Sequence, residues 1–209
     1  MSRDNVLHKV RTALGRNAGQ PPAPVPDPWI RIPEWSLERR MEQFRAALEK
    51  LNGKVHRASS KEDARNYAAA LLEGRTSVAS HAPFLDECGI PTLPGVRRFT
   101  DREGLREACA SVDVGISSAE YALADTGSLV MMSSAQEPRL ISLLPPMHLA
   151  IVPVDRLLVN IDDLLTRVPL PAEQTSAMVF ITGPSRTADI EQILVRGVHG
   201  PGEIHVVLV

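Results

Sequence analysis

The sequence predicts an α/β protein whose mostly parallel sheet is flanked by helices. Strand-like apolar runs alternate along the chain with helical patterns of about ten residues, the order that right-handed βαβ units produce. Several strand candidates follow one another over 112–152 with little helix between them, which predicts an inserted antiparallel piece. The first 35 residues differ in character from the rest. We therefore expect an N-terminal helical arm over 1–35 and an α/β domain over 36–209.

The arm begins with a short amphipathic segment over 2–14. Its apolar residues recur at helical spacing, and Gly15 follows as a stop signal. Six of the 17 prolines then fall within 20–33, a density that excludes helix and favours an extended, semi-rigid connector. Such an arm can hold a second subunit, which predicts a homo-oligomer formed through it. The alternative is a mobile terminal tail.

Local signals mark the elements of the α/β domain. Ser36 is a favoured N-cap before an apolar stripe, and Asn52-Gly53 is a typical left-handed stop. Thr100 and Glu103 have the spacing of a capping box. The predicted helices cover 36–51, 60–72, 100–110, 155–165 and 187–196. The strand candidates are 54–58, 76–80, 112–116, 128–132, 140–143, 149–152, 178–182 and 205–209.

Composition excludes several classes of protein. Hydrophobic residues make up 44% of the chain and charged residues 23%, as in a globular domain with a real core. The formal charge of −2 supplies no cationic field for nucleic acid. Prolines interrupt the longest apolar stretch, over 140–154, so it cannot span a bilayer, and the N-terminus has no apolar signal core. We expect a soluble, cytoplasmic protein with no nucleic-acid or membrane partner.

The cysteine content limits the metal and redox chemistry of the chain. Cys88 and Cys109 are the two cysteines, and they form neither a Cys-x-x-Cys pair nor a zinc-type spacing. A disulfide scaffold and a self-contained iron–sulfur cluster are therefore excluded, and we expect two buried thiols and no metal site. The usual motifs of dinucleotide-binding, P-loop, hydrolase and zincin proteins are also absent.

The first candidate site segment covers 113–128. A predicted strand ends there among hydroxyls and carboxylates, and open α/β sheets bind ligands beyond the carboxyl ends of their strands. Glu120 can act as a base or a covalent nucleophile, and Asp125 can orient it or a substrate hydroxyl. The alternative is an ordinary turn with Glu120 in solvent. The substrate-binding candidates in this segment are Thr126, Gly127 and Ser128.

The second candidate segment covers 178–191, where an apolar strand enters Gly183 and a predicted helix follows. Backbone N–H groups at the start of that helix could bind a carboxylate or phosphate together with Arg186. In the alternative, Ser185 or Thr187 is simply the N-cap of the helix.

Two histidines and one arginine outside these segments are further candidates. His148 opens a predicted strand after two prolines, and His199 lies in a glycine-rich stretch, both at element ends where loops carry function. Each is a candidate catalytic base, and a structural hydrogen bond is the alternative for each. Arg139 precedes a strand candidate and is either an anion ligand or an ordinary surface arginine.

Three strings in the second half of the chain resemble the LutC/YkgG family of lactate-utilisation proteins, whose shared module is the LUD domain. They are AEYALADTGSLV at 119–130, PRLISLLPPMHLAIVP at 138–153 and TGPSRTADIEQILVRGVHGPGEIHVVLV at 182–209. The third is the most specific, and it departs from the usual family pattern only conservatively, with Ile204 in place of leucine.

The resemblance implies a fold of the NagB/RpiA/CoA-transferase type. It also implies membership of a three-component system that oxidises L-lactate to pyruvate. The other two components of that system carry the iron–sulfur clusters, so this chain would hold no cofactor itself. The resemblance brings no established active site with it. In CoA-transferase relatives of the fold a glutamate near a strand end attacks the acyl group, and Glu120 is the candidate for a comparable position by analogy alone.

Three functions remain open from the sequence. In the first, the chain is a subunit of the lactate-oxidising system and Arg186 or Arg139 pairs with the lactate carboxylate, while Glu120, His148 or His199 takes the hydroxyl proton. In the second, it is an assembly or regulatory module that binds a small anion and holds a cluster-bearing partner through its arm. In the third, it is a transferase or isomerase acting on a phosphorylated sugar or acyl-CoA.

Overall fold

The structure is a computed structural model that describes residues 2–17, 19–21, 24, 29–99, 101–190 and 193–209. The chain separates into two compact units, Met1–Arg31 and Ile32–Val209. No helix in these described ranges is long and apolar enough to cross a membrane.

The N-terminal unit contains helix α1, Arg3–Ala13, as predicted. Ser2 caps it by accepting a hydrogen bond from the Asn5 backbone N–H at 3.3 Å, and Gly15 follows at a φ of 64°. None of the described side chains of α1 is buried, and Trp29 is 88% exposed. Part of the predicted proline-rich connector over 20–33 lies outside the described residues.

The larger unit contains the remaining elements, which begin and end as follows in chain order. They are α2 (Leu37–Lys50), β1 (Lys54–Arg57), α3 (Lys61–Leu72), β2 (Ser77–Ala79), α4 (Pro83–Glu87), a 3₁₀ turn (Ile90–Thr92), β3 (Val96–Arg98), α5 (Arg102–Ser111), β4 (Val114–Ser117), β5 (Tyr121–Leu123), β6 (Ser128–Met132), α6 (Leu140–Leu143), β7 (Met147–Val152), a second 3₁₀ turn (Val154–Arg156), β8 (Leu157–Leu158), α7 (Ile161–Arg167), α8 (Pro171–Gln174), β9 (Met178–Ile181), β10 (Arg186–Ile190), β11 (Ile193–Arg196) and β12 (Glu203–Leu208).

The main sheet confirms the predicted fold class. Within the described residues it has six strands in the order β1-β12-β7-β4-β2-β3, and every neighbouring pair is parallel. The described residues also form a second sheet with the strand order β8-β5-β6-β9. In it β6 is antiparallel to both of its neighbours. The predicted antiparallel piece is therefore present as β5 and β6, whereas β4 and β7 on either side of it belong to the parallel sheet.

The core lies on both faces of the main sheet. On one face α3 and α4 pack against Ile116 and Leu149, which are fully buried. On the other face α2 and the second sheet bury Phe44 and Leu48 of α2 against β7 and β12. This second face also receives α5 and α6, where Ile141 packs on Val78 of β2.

Two predicted elements are wrong because the pairing of distant strands overrides local signals. Within the segment 187–196, predicted as a helix, the described residues belong to the antiparallel pair β10–β11, in which Thr187 pairs with Val195. Its β-branched residues favour strand once a partner is available. The segment 140–143, predicted as a strand, is helix α6. A four-residue apolar run does not distinguish the two states.

Two further boundaries differ from the prediction. Helix α7 begins only after Asn160, whose Oδ1 accepts the Asp163 N–H at 3.0 Å, so the predicted helix over 155–165 is wrong in its first half. Asp101 caps α5 by accepting the Gly104 N–H at 2.8 Å. Thr100, the predicted capping residue, lies outside the described residues.

Candidate functional site

A buried carboxyl group lies at the carboxyl ends of β2 and β4. Because the two strands are parallel neighbours, Ser80 and Ser118 follow them at the same edge of the sheet. The chain returns to this edge after β6, where the His81 N–H donates to the Gln136 carbonyl at 2.8 Å. Glu137 Oε2 accepts hydrogen bonds from Ser80 Oγ at 2.9 Å and from the Ser118 N–H at 3.2 Å. Ser80, Ser118 and Glu137 are called the Glu137 cluster below.

The environment of Glu137 favours the neutral acid. Burial raises the pKa of its carboxyl group to about 8, against the opposing effect of the hydrogen bonds from Ser80 and Ser118. The nearby charge of Glu120 raises it slightly further. Its Oε1 atom is buried and has no hydrogen-bond partner in the described part of the chain. At neutral pH the protonated form of this group is therefore favoured.

A cleft of about 1450 Å³ is lined by Ala135 and Pro138, which flank Gln136 and Glu137 in sequence, but not by any residue of the Glu137 cluster. Its walls are α5, α6, residues 133–135 and 138–139 of the loop after β6, and residues 176–177. Arg139 lines it, and among the described residues its guanidinium has no hydrogen-bond or ion-pair partner. Ser133 also lines it, and its buried Oγ has no partner in the same ranges. The cleft thus offers the Arg139 guanidinium and the Ser133 hydroxyl to a small polar ligand, and the charged residues Asp101, Glu103 and Arg106 also line it.

His148, a predicted base, lies inside the protein rather than in the cleft. Its Nε2 is 2.7 Å from Ser117 Oγ, and both side chains have 0% exposure. Burial lowers the pKa of His148 to about 4, so the imidazole is neutral at physiological pH. Its Nδ1 has no partner in the part of the chain that the structure describes.

The carboxylates of the first candidate segment lie at the surface. Glu120 pairs with Arg156 at 2.6 Å, and its side chain is 45% exposed. Asp125 and Thr126 are exposed in the turn that joins β5 to β6. Gly127 ends this turn at a φ of 66°, and a Cβ atom there would lie 2.6 Å from the backbone nitrogen of Leu48. The turn therefore packs against helix α2 and does not form a crevice.

The structure brings the two candidate segments together at the end of α2. Ser128 Oγ lies 2.7 Å from Thr182 Oγ1. A Cβ atom on Gly183 would lie 2.9 Å from Leu51 Cβ, and the Arg186 guanidinium donates to the Leu51 carbonyl. Because the described residues of 187–196 form strands, they provide no helix N-terminus after Gly183, and Arg186 donates to the Leu51 carbonyl at the end of α2.

Near the ends of β10 and β11 lie Ser185 and Thr187 of the second segment, and His199 from outside it. The Ser185 N–H donates to the Pro201 carbonyl at 2.9 Å, and the Gly197 N–H donates to the Ser185 carbonyl at 3.0 Å. His199 is exposed between β11 and β12. Thr187 belongs to β10, and its side chain lies outside the described residues.

The sequence interpretation overlooked the Glu137 cluster. Ser80 ends a predicted strand and Ser118 follows another, so two hydroxyl residues at neighbouring strand ends were an available signal. Glu137 carried no such signal, because only the path of the chain after β6 brings it back over the sheet edge.

The two thiols do not fit an iron–sulfur cluster. Cys88 and Cys109 are free, and each is buried in a different core cluster, with burial raising the pKa of Cys109 to about 11. A cluster normally needs four thiolate ligands. Over the described ranges no group of three or more His, Cys, Asp or Glu side chains is placed to hold a metal ion.

Comparison with known proteins supplies the family. The LUD domain model matches residues 41–209. Over 95% of this chain and 94% of the relative, the sequence is 29% identical to lactate utilization protein C of Halalkalibacterium halodurans. It is 28% identical to the protein of that name from Bacillus subtilis, over 100% of this chain and 96% of the relative.

A solved structure supports the same assignment at the level of the fold. It is a DUF162 family protein from Deinococcus radiodurans, with a TM-score of 0.61 at 17% identity, covering 84% of this chain and 99% of that one. Because the family model matches most of the chain, the protein belongs to the LUD domain family.

Proposed function

We propose that this chain acts in lactate utilisation, as a cytoplasmic subunit of an iron–sulfur system that oxidises L-lactate to pyruvate. The proposal is supported by relatives named lactate utilization protein C that match along almost their whole length. The clusters would belong to partner subunits, since the two thiols of this chain do not fit one. Electrons from lactate would therefore leave the subunit for a partner's redox centre.

The observation that carries a substrate-binding role is the guanidinium of Arg139, which lines the cleft and has no partner among the described residues. A small 2-hydroxy or 2-oxo acid has one carboxylate and one neighbouring oxygen. Its carboxylate can take a bidentate pair from Arg139, which is the geometry that guanidinium groups favour. Arg186, the other arginine candidate, already donates to a helix carbonyl. We therefore place the acid in the cleft, with its C2 oxygen directed towards the loop 133–139.

Replacing Arg139 with alanine should weaken the binding of L-lactate and pyruvate. A hydrogen bond to a charged group contributes about 1.5–3 kcal/mol, so we expect the Kd to rise roughly 10- to 100-fold. Isothermal titration calorimetry of the purified chain measures this directly. Arg97→Ala is the matched control, because Arg97 is an exposed arginine of β3 that does not line the cleft. Equal affinities in wild type and Arg139→Ala would contradict the assignment.

An assembly role for the arm is a second candidate function, favoured by the exposed apolar side chains of α1 and by Trp29. An eleven-residue helix is marginal in water on its own, so a bound surface would stabilise it. A chain without residues 1–35 should keep its affinity for the acids but lose association with the partner subunits or with a second copy. Sedimentation velocity and co-purification measure that loss. Unchanged association in both assays would reject the role.

A further inference from the structure

Strand β9 is an unprotected edge of the second sheet. It is the last strand in the order β8-β5-β6-β9, and among the described strands it pairs with β6 alone. The outer side of an edge strand presents N–H and C=O groups to which another strand can bond. The sequence of β9 is Met-Val-Phe-Ile, its pairing with β6 is regular, and Phe180 is 38% exposed. The charges, prolines and bulges that usually protect an edge are therefore missing from it.

The hydrogen bonds between β6 and β9 determine which backbone groups of β9 point outwards. The Ser133 N–H donates to the Ala177 carbonyl at 3.0 Å, so Ala177 faces β6. Backbone groups alternate in direction along an antiparallel strand, so Val179 faces β6 as well, whereas Met178 and Phe180 direct their N–H and C=O groups away from it. Within the described ranges these four groups have no hydrogen-bond partner.

The other three edge strands of the two larger sheets are protected. Strand β1 (Lys54–Arg57) has a cation at each end, and β3 carries Arg97 and Arg98. Strand β8 has two buried residues, and Arg40 of α2 donates to the Leu157 carbonyl at 2.6 Å. Pairing β1 or β3 with a copy of itself would place like charges opposite each other, which is destabilising. Strand β9 can pair with itself without that electrostatic cost.

We propose that β9 binds β9 of a second copy of this chain in antiparallel orientation, which joins the two second sheets into one sheet of eight strands. A twofold axis allows this, because both edges supply the same donors and acceptors. In each register that uses the outward groups, the two Phe180 side chains lie directly or diagonally opposite each other on one face of the sheet. The inference goes beyond the proposed function and does not depend on it. It places the contact between copies at β9 rather than in the arm.

Apolar side chains near β9 can extend this contact. Phe180 pairs with Val130 of β6, on the face of the second sheet against which α7 packs. Helix α7 leaves Ile161 and Leu165 exposed. One short edge strand buries less than the roughly 1,200 Å² at which stable interfaces begin. We therefore expect a reversible dimer whose population rises with protein concentration.

The Phe180→Glu variant should weaken the dimer. It removes the pair of rings and places two like charges across the axis, so we expect the dissociation constant of the dimer to rise at least about tenfold. Sedimentation velocity of the full chain over a wide range of concentration measures it. Leu37→Glu is the matched control, because it makes the same change at a side chain of α2 that is 37% exposed. A wild type that stays monomeric at every concentration, or a dimer that Phe180→Glu leaves intact, would overturn the proposal.

A mixture of Phe180→Glu and Phe180→Lys separates strand pairing from a general effect of the substitution. Opposite charges then meet across the axis, so at low ionic strength the mixture should dimerise more strongly than either variant alone. A mixture that is as monomeric as its two components would reject the proposal.

Amide hydrogen exchange tests the wild type directly and needs no substitution. The N–H groups of Met178 and Phe180 should exchange at least about tenfold more slowly in a concentrated solution than in a dilute one. The Val179 N–H, which faces β6, should exchange slowly in both. Exchange at Met178 and Phe180 that is independent of concentration would show that β9 does not join the two copies.

Discussion

Gly115→Ala is expected to lose about 3 kcal/mol or more of the free energy of unfolding. A Cβ atom at this position would lie 1.9 Å from the Ile141 carbonyl oxygen and 3.0 Å from Pro145 Cγ. Helix α6 therefore rests directly on the backbone of β4, and any side chain at Gly115 forces the two apart. Overpacking of this kind typically costs 1–3 kcal/mol, and a clash with backbone atoms falls at the upper end.

The contact between α6 and Gly115 of β4 also links the stability of the fold to the cleft that Arg139 lines. Arg139 precedes α6, and the loop that carries Glu137 leads into it. A displaced α6 should therefore weaken acid binding as well as folding.

Thermal and urea denaturation measure the stability loss, which corresponds to a fall in Tm of roughly 10 °C for a chain of this size. Gly202→Ala is the control, because the added Cβ would make only an ordinary contact of 3.6 Å with Gly197. Equal stabilities of the two variants would show that α6 tolerates displacement.

The parts of the fold predicted correctly are those that short-range interactions determine. The N-caps Ser36 and Ser60 hydrogen-bond to backbone groups three residues on, and Asn52 adopts the left-handed conformation with a φ of 66°. Strand β6 has the predicted bounds, Ser128–Met132. Such features depend on residues close in sequence, so their signals can be recognised without the rest of the chain.

The errors and omissions come from contacts between distant residues. Whether 187–196 forms a helix or strands depends on the pairing of its two halves. The candidate N-cap residues Ser185 and Thr187 favoured a helix, which is wrong. The carboxyl of Glu137 is separated by 57 residues in sequence from Ser80, its hydrogen-bond partner. Residue types and their spacing in the sequence do not indicate that these two side chains come together in the fold. The surface candidates Glu120 and Asp125 belong to one segment, whereas the Glu137 cluster draws its residues from three separate parts of the chain.

Acid should destabilise the wild-type chain through His148. Its pKa is about 4 in the folded protein and 6.5 in the unfolded chain, because burial penalises the imidazolium. Between these values the unfolded chain binds more protons, so stability is complete above pH 6.5 and falls as the pH drops to 4. The free energy of unfolding that is lost over this pH range amounts to about 3 kcal/mol. Glu137 has the opposite sign, since its raised pKa makes the folded chain bind more protons between about pH 4.5 and 8.

Comparison with His148→Gln separates the two effects. Both proteins contain Glu137, so its contribution cancels in the difference between their free energies of unfolding. We expect the stability advantage of the wild type over this variant to shrink by about 3 kcal/mol from pH 7.5 to pH 4. Urea denaturation across that range measures it, with His8→Gln, an exposed histidine of α1, as the control with no pH-dependent difference. If the difference in free energy of unfolding between wild type and His148→Gln stays constant with pH, water reaches the imidazole and the Ser117–His148 pair is accessible to solvent.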